Sequence, residues 1–323
     1  MKEPRRSKMS RLGRPHILVI GELNVDIVAS GLRSVPEPGV EILARDCELT
    51  LGSASAIFAV GMSKLGHAVT FVSQVGRDSF GDFCIDALKQ AGVSTKNVAR
   101  TDEKTGVTIA LSNSRDRALV TYQGAISTLT ADRIDRSLLK RHQHLHLTSY
   151  YLQRGLQPSF ADLFRQAKSE GLTTSFDPNT DPTGAWSKSI NRALRHTDVL
   201  FLNKREALSL TRKTNARGAL KSLGESVPCT VVKLGHRGAI AMKENRVFTD
   251  SGFRIKAQDT TGAGDSFDAG FISAYLREAE ISECLRIGNA CGALSALRLG
   301  GTAGQPTQPE LERFLRSAKS RVT

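Results

Sequence analysis

The residues best suited to chemistry lie in Asp259-Thr260-Thr261-Gly262-Ala263-Gly264-Asp265-Ser266-Phe267. A strand-like approach, two threonines and Gly-Ala-Gly run directly into Phe267, Phe271, Ala274 and Tyr275, whose spacing predicts a helix beginning within Thr261–Asp265. The first turn of a helix has unpaired N–H groups and carries the positive end of the dipole, so this turn suits an anion. Gly262 and Gly264 let the backbone approach that anion without a Cβ in the way. A transferring phosphoryl group is the anion such a turn stabilises best. Asp265 then falls beside the anion hole, where a carboxylate can take the proton of an attacking hydroxyl. Alone, Gly-x-Gly equally marks the end of a strand with Asp265 capping a helix. The segment is neither a Rossmann fingerprint, since Phe267 stands where a third glycine belongs, nor a P-loop, since no Gly-Lys-Ser/Thr follows.

The elements that must position this turn are legible as a rhythm. Short β-branched runs at His16–Ile20, Val69–Val72, His144–Leu147, Thr173–Phe176, Asp198–Leu202 and Thr230–Leu234 alternate with helical patterns. This predicts an α/β protein, a three-layer sandwich with a mostly parallel central sheet. One helix starts after Asp78 as N-cap, carries Phe80, Phe83, Cys84, Ala87, Leu88 and Ala91 on one face, and stops at Gly92. A second, rich in Ala and Ser, spans Ala54–Lys64. Two stretches break the rhythm. Asp26–Thr50 and Thr105–Gln123, the latter turning at Asn113–Asp116, alternate like strands with no helix between, which predicts a small antiparallel sheet inserted into the body.

Composition bounds the remaining classes. At 323 residues with 40% hydrophobic content the chain folds as one large domain or one with an appendage. Its net charge of +13 raises the question of nucleic acid, but the excess is not concentrated on a recognition element. Residues 1–14 form a basic tail whose six Lys/Arg face only Glu3. The other cations are scattered, and 6% aromatics with no basic interleaving leave a base-stacking platform unsupported. Five cysteines, odd in number and without C-x-x-C spacing, read as free thiols. No apolar run spans a bilayer and the tail lacks an apolar signal core, so a cytoplasmic protein without membrane or nucleic-acid partners is expected.

Taken whole, the chain resembles the ribokinase/PfkB family of carbohydrate and nucleoside kinases over roughly residues 15–320. Asp259–Phe267 is similar to the C-terminal signature of that family, and Gly52 to Gly66 followed by Val72–Gly81, with its Gly76-Arg77-Asp78-Ser79-Phe80-Gly81 turn, is similar to the N-terminal one. The resemblance implies a ribokinase-like fold in 15–323 whose inserted sheet, at about 26–50 and 105–123, is a lid. It implies Asp265 as catalytic base, with the amides of Gly262, Ala263, Gly264 and Asp265 as anion hole. Asn24-Val25-Asp26 looks like the element that binds substrate hydroxyls, joined by Gly52, Ser53 and Gln123; an ionised carboxylate accepts two hydroxyl protons, which suits a polyol. Asn203-Lys204-Arg205-Glu206 looks like the motif that orders Mg2+ through water, and Lys233, Gly235 and Gly238 look like the loop bordering ATP, with Asn289 nearby. Asp259 and the Thr261 carbonyl match positions of a K+ site, with carbonyls of 296–301 adding to it.

Two departures bear on the acceptor. Ile57 stands where the family commonly has an Asn, which makes the pocket partly apolar. Asp177-Pro178-Asn179 is followed by Asp181 where an Arg is common, and a carboxylate there argues against an already phosphorylated acceptor. The expected activity is ATP- and Mg2+-dependent phosphorylation of a primary hydroxyl of a small sugar, in a homodimer formed through the lid. A nucleoside acceptor is the alternative, with Tyr122, Phe58, Tyr150 and Tyr151 as candidates to stack a base. A non-catalytic sugar- or nucleotide-binding protein is a further one, and it predicts loss of the base or the anion hole.

Overall fold

Alternate residues of the central strands bury on opposite faces of one sheet, and this sets the layers. Ile17 and Val19 join one apolar core, Leu18 and Ile20 the other; Val231 and Val232 divide in the same way. Strands buried on both faces in this manner belong to the middle of a parallel sheet. The computed structural model describes residues 15–34, 36–113 and 117–319. Its strands are β1 (His16–Ile20), β2 (Asn24–Leu32), β3 (Asp46–Leu51), β4 (Ala68–Gly76), β5 (Ser94–Thr101), β6 (Gly106–Asn113), β7 (Arg117–Tyr122), β8 (His144–Thr148), β9 (Thr173–Asp177), β10 (Val199–Asn203), β11 (Cys229–Lys233), β12 (Ala239–Lys243) and β13 (Arg246–Asp250). Its helices are α1 (Ala54–Lys64), α2 (Ser79–Gln90), α3 (Phe160–Ser169), α4 (Asn191–Leu194), α5 (Lys204–Thr211), α6 (Ala216–Gly224), α7 (Ala263–Tyr275), α8 (Ile281–Ser295) and α9 (Gln308–Lys319).

The large sheet has nine strands in the order β13-β12-β11-β10-β9-β8-β1-β4-β5. All neighbours are parallel except the β11-β12-β13 edge. Residues of α1, α2, α7 and α8 bury on one face and residues of α3, α4, α5 and α6 on the other, giving the three layers expected. Strands β5, β12 and β13 carry no signal in the sequence reading. β5 is a half-exposed edge strand, and β12 and β13 are joined by Glu244-Asn245, both with positive φ, without the glycine that usually marks such a turn.

The small sheet has the order β3-β2-β6-β7. It consists of two antiparallel hairpin pairs, β2/β3 and β6/β7, whose inner strands β2 and β6 run parallel to each other. The parallel seam follows from topology: β2 and β6 both leave the same end of the large sheet, after β1 and after β5. The expected turn at Asn113–Asp116 and the basic tail 1–14 fall largely or wholly outside the described residues. All five cysteines are unpaired, and among the described residues no helix is long and apolar enough to cross a membrane.

Asp78 joins the two sheets. Its carboxylate accepts from the Gly81 N–H at the start of α2 (2.8 Å), and from the Thr105 N–H (2.8 Å) and hydroxyl (2.7 Å) just before β6. Asp78→Ala removes a helix cap and the anchor of a small-sheet strand together, and is expected to lower stability by about 2 kcal/mol. Urea unfolding checks this; an unchanged midpoint contradicts it.

Candidate active site

Helix α7 begins without a side-chain cap. Its N-cap is Gly262 at φ +68°, a left-handed conformation suited to glycine. A Cβ there would stand 2.7 Å from Gly301 Cα and 2.8 Å from its carbonyl oxygen, so both the turn and the packing require glycine. The Ala263 N–H bonds the Thr260 carbonyl at 3.3 Å, while the N–H groups of Gly264 and Asp265 have no partner among the described residues. Of the amides expected to form the anion hole, that of Ala263 is therefore turned back into its own loop. The open N–H groups and the positive helix end face a cavity of about 1950 Å³.

That cavity runs from the inner face of the small sheet to the C-terminal ends of the large one. Asn24, Asp26, Ser53 and Gln123 line one end, Asn203, Glu206, Gly235, Gly238 and Asn289 the other, and Lys233 with the segment Thr261–Asp265 lies between. Two expected residues are not on its wall. Gly52 sits behind Asp26, where a Cβ would overlap the Asp26 carboxylate and the Asn24 amide. Asp259 lies within the loop; its carboxylate accepts from the Thr261 N–H (2.9 Å) and hydroxyl (2.8 Å) and the Gly300 N–H (2.9 Å), tying the glycine turn to the segment after α8.

The acceptor end is held by polar cross-links. Asn24 donates from its amide to Asp26 Oδ1 at 3.0 Å and to Thr108 Oγ1 at 3.4 Å, which orients Asp26 across the β2–β6 seam. Ser53 is occupied as the cap of α1, accepting from the Ala56 N–H (3.1 Å) and donating to the Glu22 carbonyl. Gln123 donates to the Leu152 carbonyl at 3.3 Å. The aromatic candidates for a base platform mostly face elsewhere. Phe58 stacks on buried His146, Tyr150 packs edge-on to Phe160, and Tyr151 packs against Trp186; of the four only Tyr122 reaches the cavity. Ile57 does line it, as expected. Asp181 does not: its carboxylate accepts from the Thr183 N–H (2.9 Å) and hydroxyl (2.7 Å) and the Trp186 N–H (2.7 Å), so it stabilises its own loop and makes no case against a charged acceptor.

At the other end Asn203 and Glu206 form a reciprocal capping box on α5, and Glu206 also accepts from Thr180 Oγ1 at 2.9 Å. Burial, with the nearby Asp177 charge, pushes the Glu206 carboxyl up to about 7. These oxygens are already engaged, so they fit a divalent ion held through water better than one ligated directly. Asn289 donates to Asp250 Oδ1 at 2.6 Å and so braces the loop after β13.

Lys233 is not the free cation that a phosphate contact suggests. Its ammonium donates to Asp177 Oδ2 at 2.7 Å and to Asp268 at 3.0 and 3.1 Å. Oxygens of Asp177, Asp265 and Asp268 lie within 4.8 Å of one another, yet the ammonium already occupies the cation position of this cluster, so the trio does not fit a metal site. Burial opposes the Lys233 charge, but Asp177 and Asp268 outweigh it and hold its pKa above the ordinary range. Burial raises Asp265 to about 7, with Lys233 opposing the rise. Asp268 and Glu22 are absent from the sequence reading. Asp268 is signalled only by its position one turn after Asp265. Glu22 is a buried carboxylate that accepts from the Ser55 N–H (3.2 Å) and from the hydroxyls of Ser55 (2.6 Å), Thr148 (2.9 Å) and Ser149 (2.8 Å).

Residues 14–308 match the family described as pfkB family carbohydrate kinase. The chain belongs to the pfkB family of carbohydrate kinases. This kinase is similar to a ribokinase of Haemophilus influenzae, 28% identical over 314 residues that cover 94% of this chain and 100% of the relative. It is also similar to an ATP-dependent ribose-1-phosphate kinase of Halopiger xanaduensis, 30% identical over 303 residues, covering 93% and 97%. Among solved structures it superposes on an E. coli protein provisionally designated Ribokinase II, in complex with ATP and Mg2+, with TM-score 0.83 and 26% identity over 94% of this chain and 99% of that one. The kinase tolerates little at the start of α7: Gly262→Ala is expected to lower stability by about 2 kcal/mol or more, from strain and backbone overlap together. Chemical denaturation reads it, and an unaltered midpoint would sink the claim.

Proposed function

We propose that the protein transfers the γ-phosphoryl group of ATP to a primary hydroxyl of a small sugar. The observation that carries this reading is the shared cavity: an uncapped helix end, a carboxylate in its first turn and the hydrogen-bonded pair Asn24 and Asp26 open into one space. Asp26 and Asn24 bind acceptor hydroxyls, with Gln123 alongside. Gly235, Gly238 and Asn289 border the nucleotide. Asp265 takes the proton of the acceptor hydroxyl as its oxygen bonds to the γ-phosphorus and the bond to the leaving ADP oxygen breaks; the Gly264 and Asp265 amides, flanked by Gly262 and Ala263, hold the equatorial oxygens. Mg2+ bound with the nucleotide supplies charge neutralisation, and Asn203 and Glu206 orient it through water. K+ beside Asp259 and the Thr261 carbonyl would steady the turn from below. Closure of the small sheet excludes water and so suppresses ATP hydrolysis. A sugar is favoured over a nucleoside because Phe58, Tyr150 and Tyr151 pack in the core and leave no stacking pair at the acceptor end.

The outer face of the small sheet supports a homodimer. Leu49, Ile27, Ile109 and Val120 are paired in register across its four strands, and Leu49, Ile109 and Val120 are 42%, 40% and 60% exposed. A continuous apolar row on a sheet face is a surface that a second copy covers. Val120→Asp should convert a dimer into a monomer in light scattering; a monomeric wild type disposes of the dimer.

The function is tested by a phosphorylation screen of pentoses, hexoses, sugar acids and nucleosides with Mg-ATP, run in KCl and in tetramethylammonium chloride. Asp265→Asn is expected to cut turnover at least about a hundredfold on the best acceptor. A base raised to about 7 is protonated and inactive below that pH, so kcat/KM should fall toward acid with a limb near 7, and Glu206→Gln should keep that limb but move it toward lower pH, since the Glu206 charge contributes to the rise at Asp265. Near-normal turnover in Asp265→Asn removes the base from the mechanism.

A further inference from the structure

Lys233 ties together three parts of the chain. It ends β11, Asp177 ends β9, and β10 lies between those strands in the sheet. Asp268 comes from α7, one turn beyond Asp265. The Lys233 side chain is 13% exposed and its two partners 2% and 1%, so the bridge is nearly removed from water. A Cβ added to Gly264 would stand 3.2 Å from the Lys233 ammonium, which therefore lies directly beneath the glycine turn. An ammonium has three donors, and the two carboxylates engage at least two of them. Little of Lys233 remains to serve a nucleotide phosphate.

The geometry points to Lys233 and Asp268 as a positioning pair: their bridge to Asp177 seats the first turn of α7, and with it the Asp265 carboxylate and the Gly264 amide, on the strand ends before either substrate binds. Without the ammonium, Asp177, Asp265 and Asp268 lie within 4.8 Å of one another with no cation among them, and the donor that ties β11 to Asp177 and Asp268 is lost, so the turn is no longer held. Neither Lys233 nor Asp268 needs to touch a reacting atom for this. The inference rests on Asp265 as the base of the reaction proposed above.

The test uses the full chain with Mg-ATP and D-ribose or D-fructose, comparing wild type, Lys233→Met and the double variant Lys233→Met/Asp268→Asn. Misplacement of a catalytic turn by about 1 Å costs on the order of a hundredfold, so Lys233→Met should lower kcat by about thirtyfold or more while KM for ATP and sugar change less than about threefold. The double variant removes one charge of each sign and so avoids a surplus buried charge; it should recover melting temperature but not kcat. Hydrogen exchange at 262–268 should quicken in both variants and stay unchanged elsewhere on the sheet. A loss confined to the KM for ATP would make Lys233 a nucleotide contact, and recovery of kcat together with melting temperature in the double variant would make the bridge merely structural; either overturns the inference. Failure of the wild type to phosphorylate any acceptor overturns the proposed function instead, and the exchange measurement still decides whether the bridge seats the turn.

Discussion

A site that must receive a triphosphate beside several carboxylates has an electrostatic problem, and the structure is organised around its solution. Asp177, Asp265, Asp268 and Glu206 all lie near the point where the glycine turn would hold a phosphoryl group. Phosphoryl oxygens and ionised carboxylates repel at this range. Three features offset that repulsion. The start of α7 presents unpaired N–H groups instead of a side-chain cap. The Lys233 ammonium compensates Asp177 and Asp268 from below. Burial leaves Asp265 and Glu206 only partly ionised near neutral pH, each raised to about 7. The positive field meeting the anion therefore includes backbone dipoles that no count of charged side chains records.

The scaffold needed for this is a parallel sheet whose strand ends converge. β9, β10 and β11 deliver Asp177, Asn203 and Lys233 from their last positions; Asn203 and Lys233 are paired in register, while the β9–β10 pairing ends at Phe176 and Leu200. Rigid strand ends fix such groups better than loops do. Glu22 plays the corresponding part at the acceptor end. By accepting from Ser55, Thr148 and Ser149 it ties the loop after β1 to the start of α1 and the end of β8. The wall beneath Asn24 and Asp26 is thereby fixed without any substrate.

What the sequence disclosed and what it hid divide along physical lines. The glycine turn, the Asp78 cap and the Asn203/Glu206 pair were legible because each is local: a positive φ or a cap demands particular residue types within a few positions. The Lys233 bridge was not, because residues 177, 233 and 268 meet only through sheet order. Asp181 was misread for a related reason. Its three hydrogen bonds lie within its own loop, and residue type alone does not say whether a carboxylate faces the cavity or its own backbone. The β12–β13 hairpin escaped because Glu244-Asn245 adopts a turn that sequence rules reserve for glycine. The parallel seam of the small sheet escaped because alternation reports faces and not strand direction.

The alternation in that sheet has a consequence for how the enzyme works. In β2 and β6, Asp26 and Thr108 face the cavity, and the residues beside them, Ile27 and Ile109, must point the other way. One short pair of strands therefore carries the polar residues of the cavity wall on one face and the apolar row on the other. Any contact that orders the outer face also fixes the register and tilt of the inner one, since a sheet this small has no second layer to absorb the change. The inner polar face and the outer apolar face thus belong to one rigid element, and Asp78, which anchors β6 to α2, is where that element is fastened to the body that carries the glycine turn.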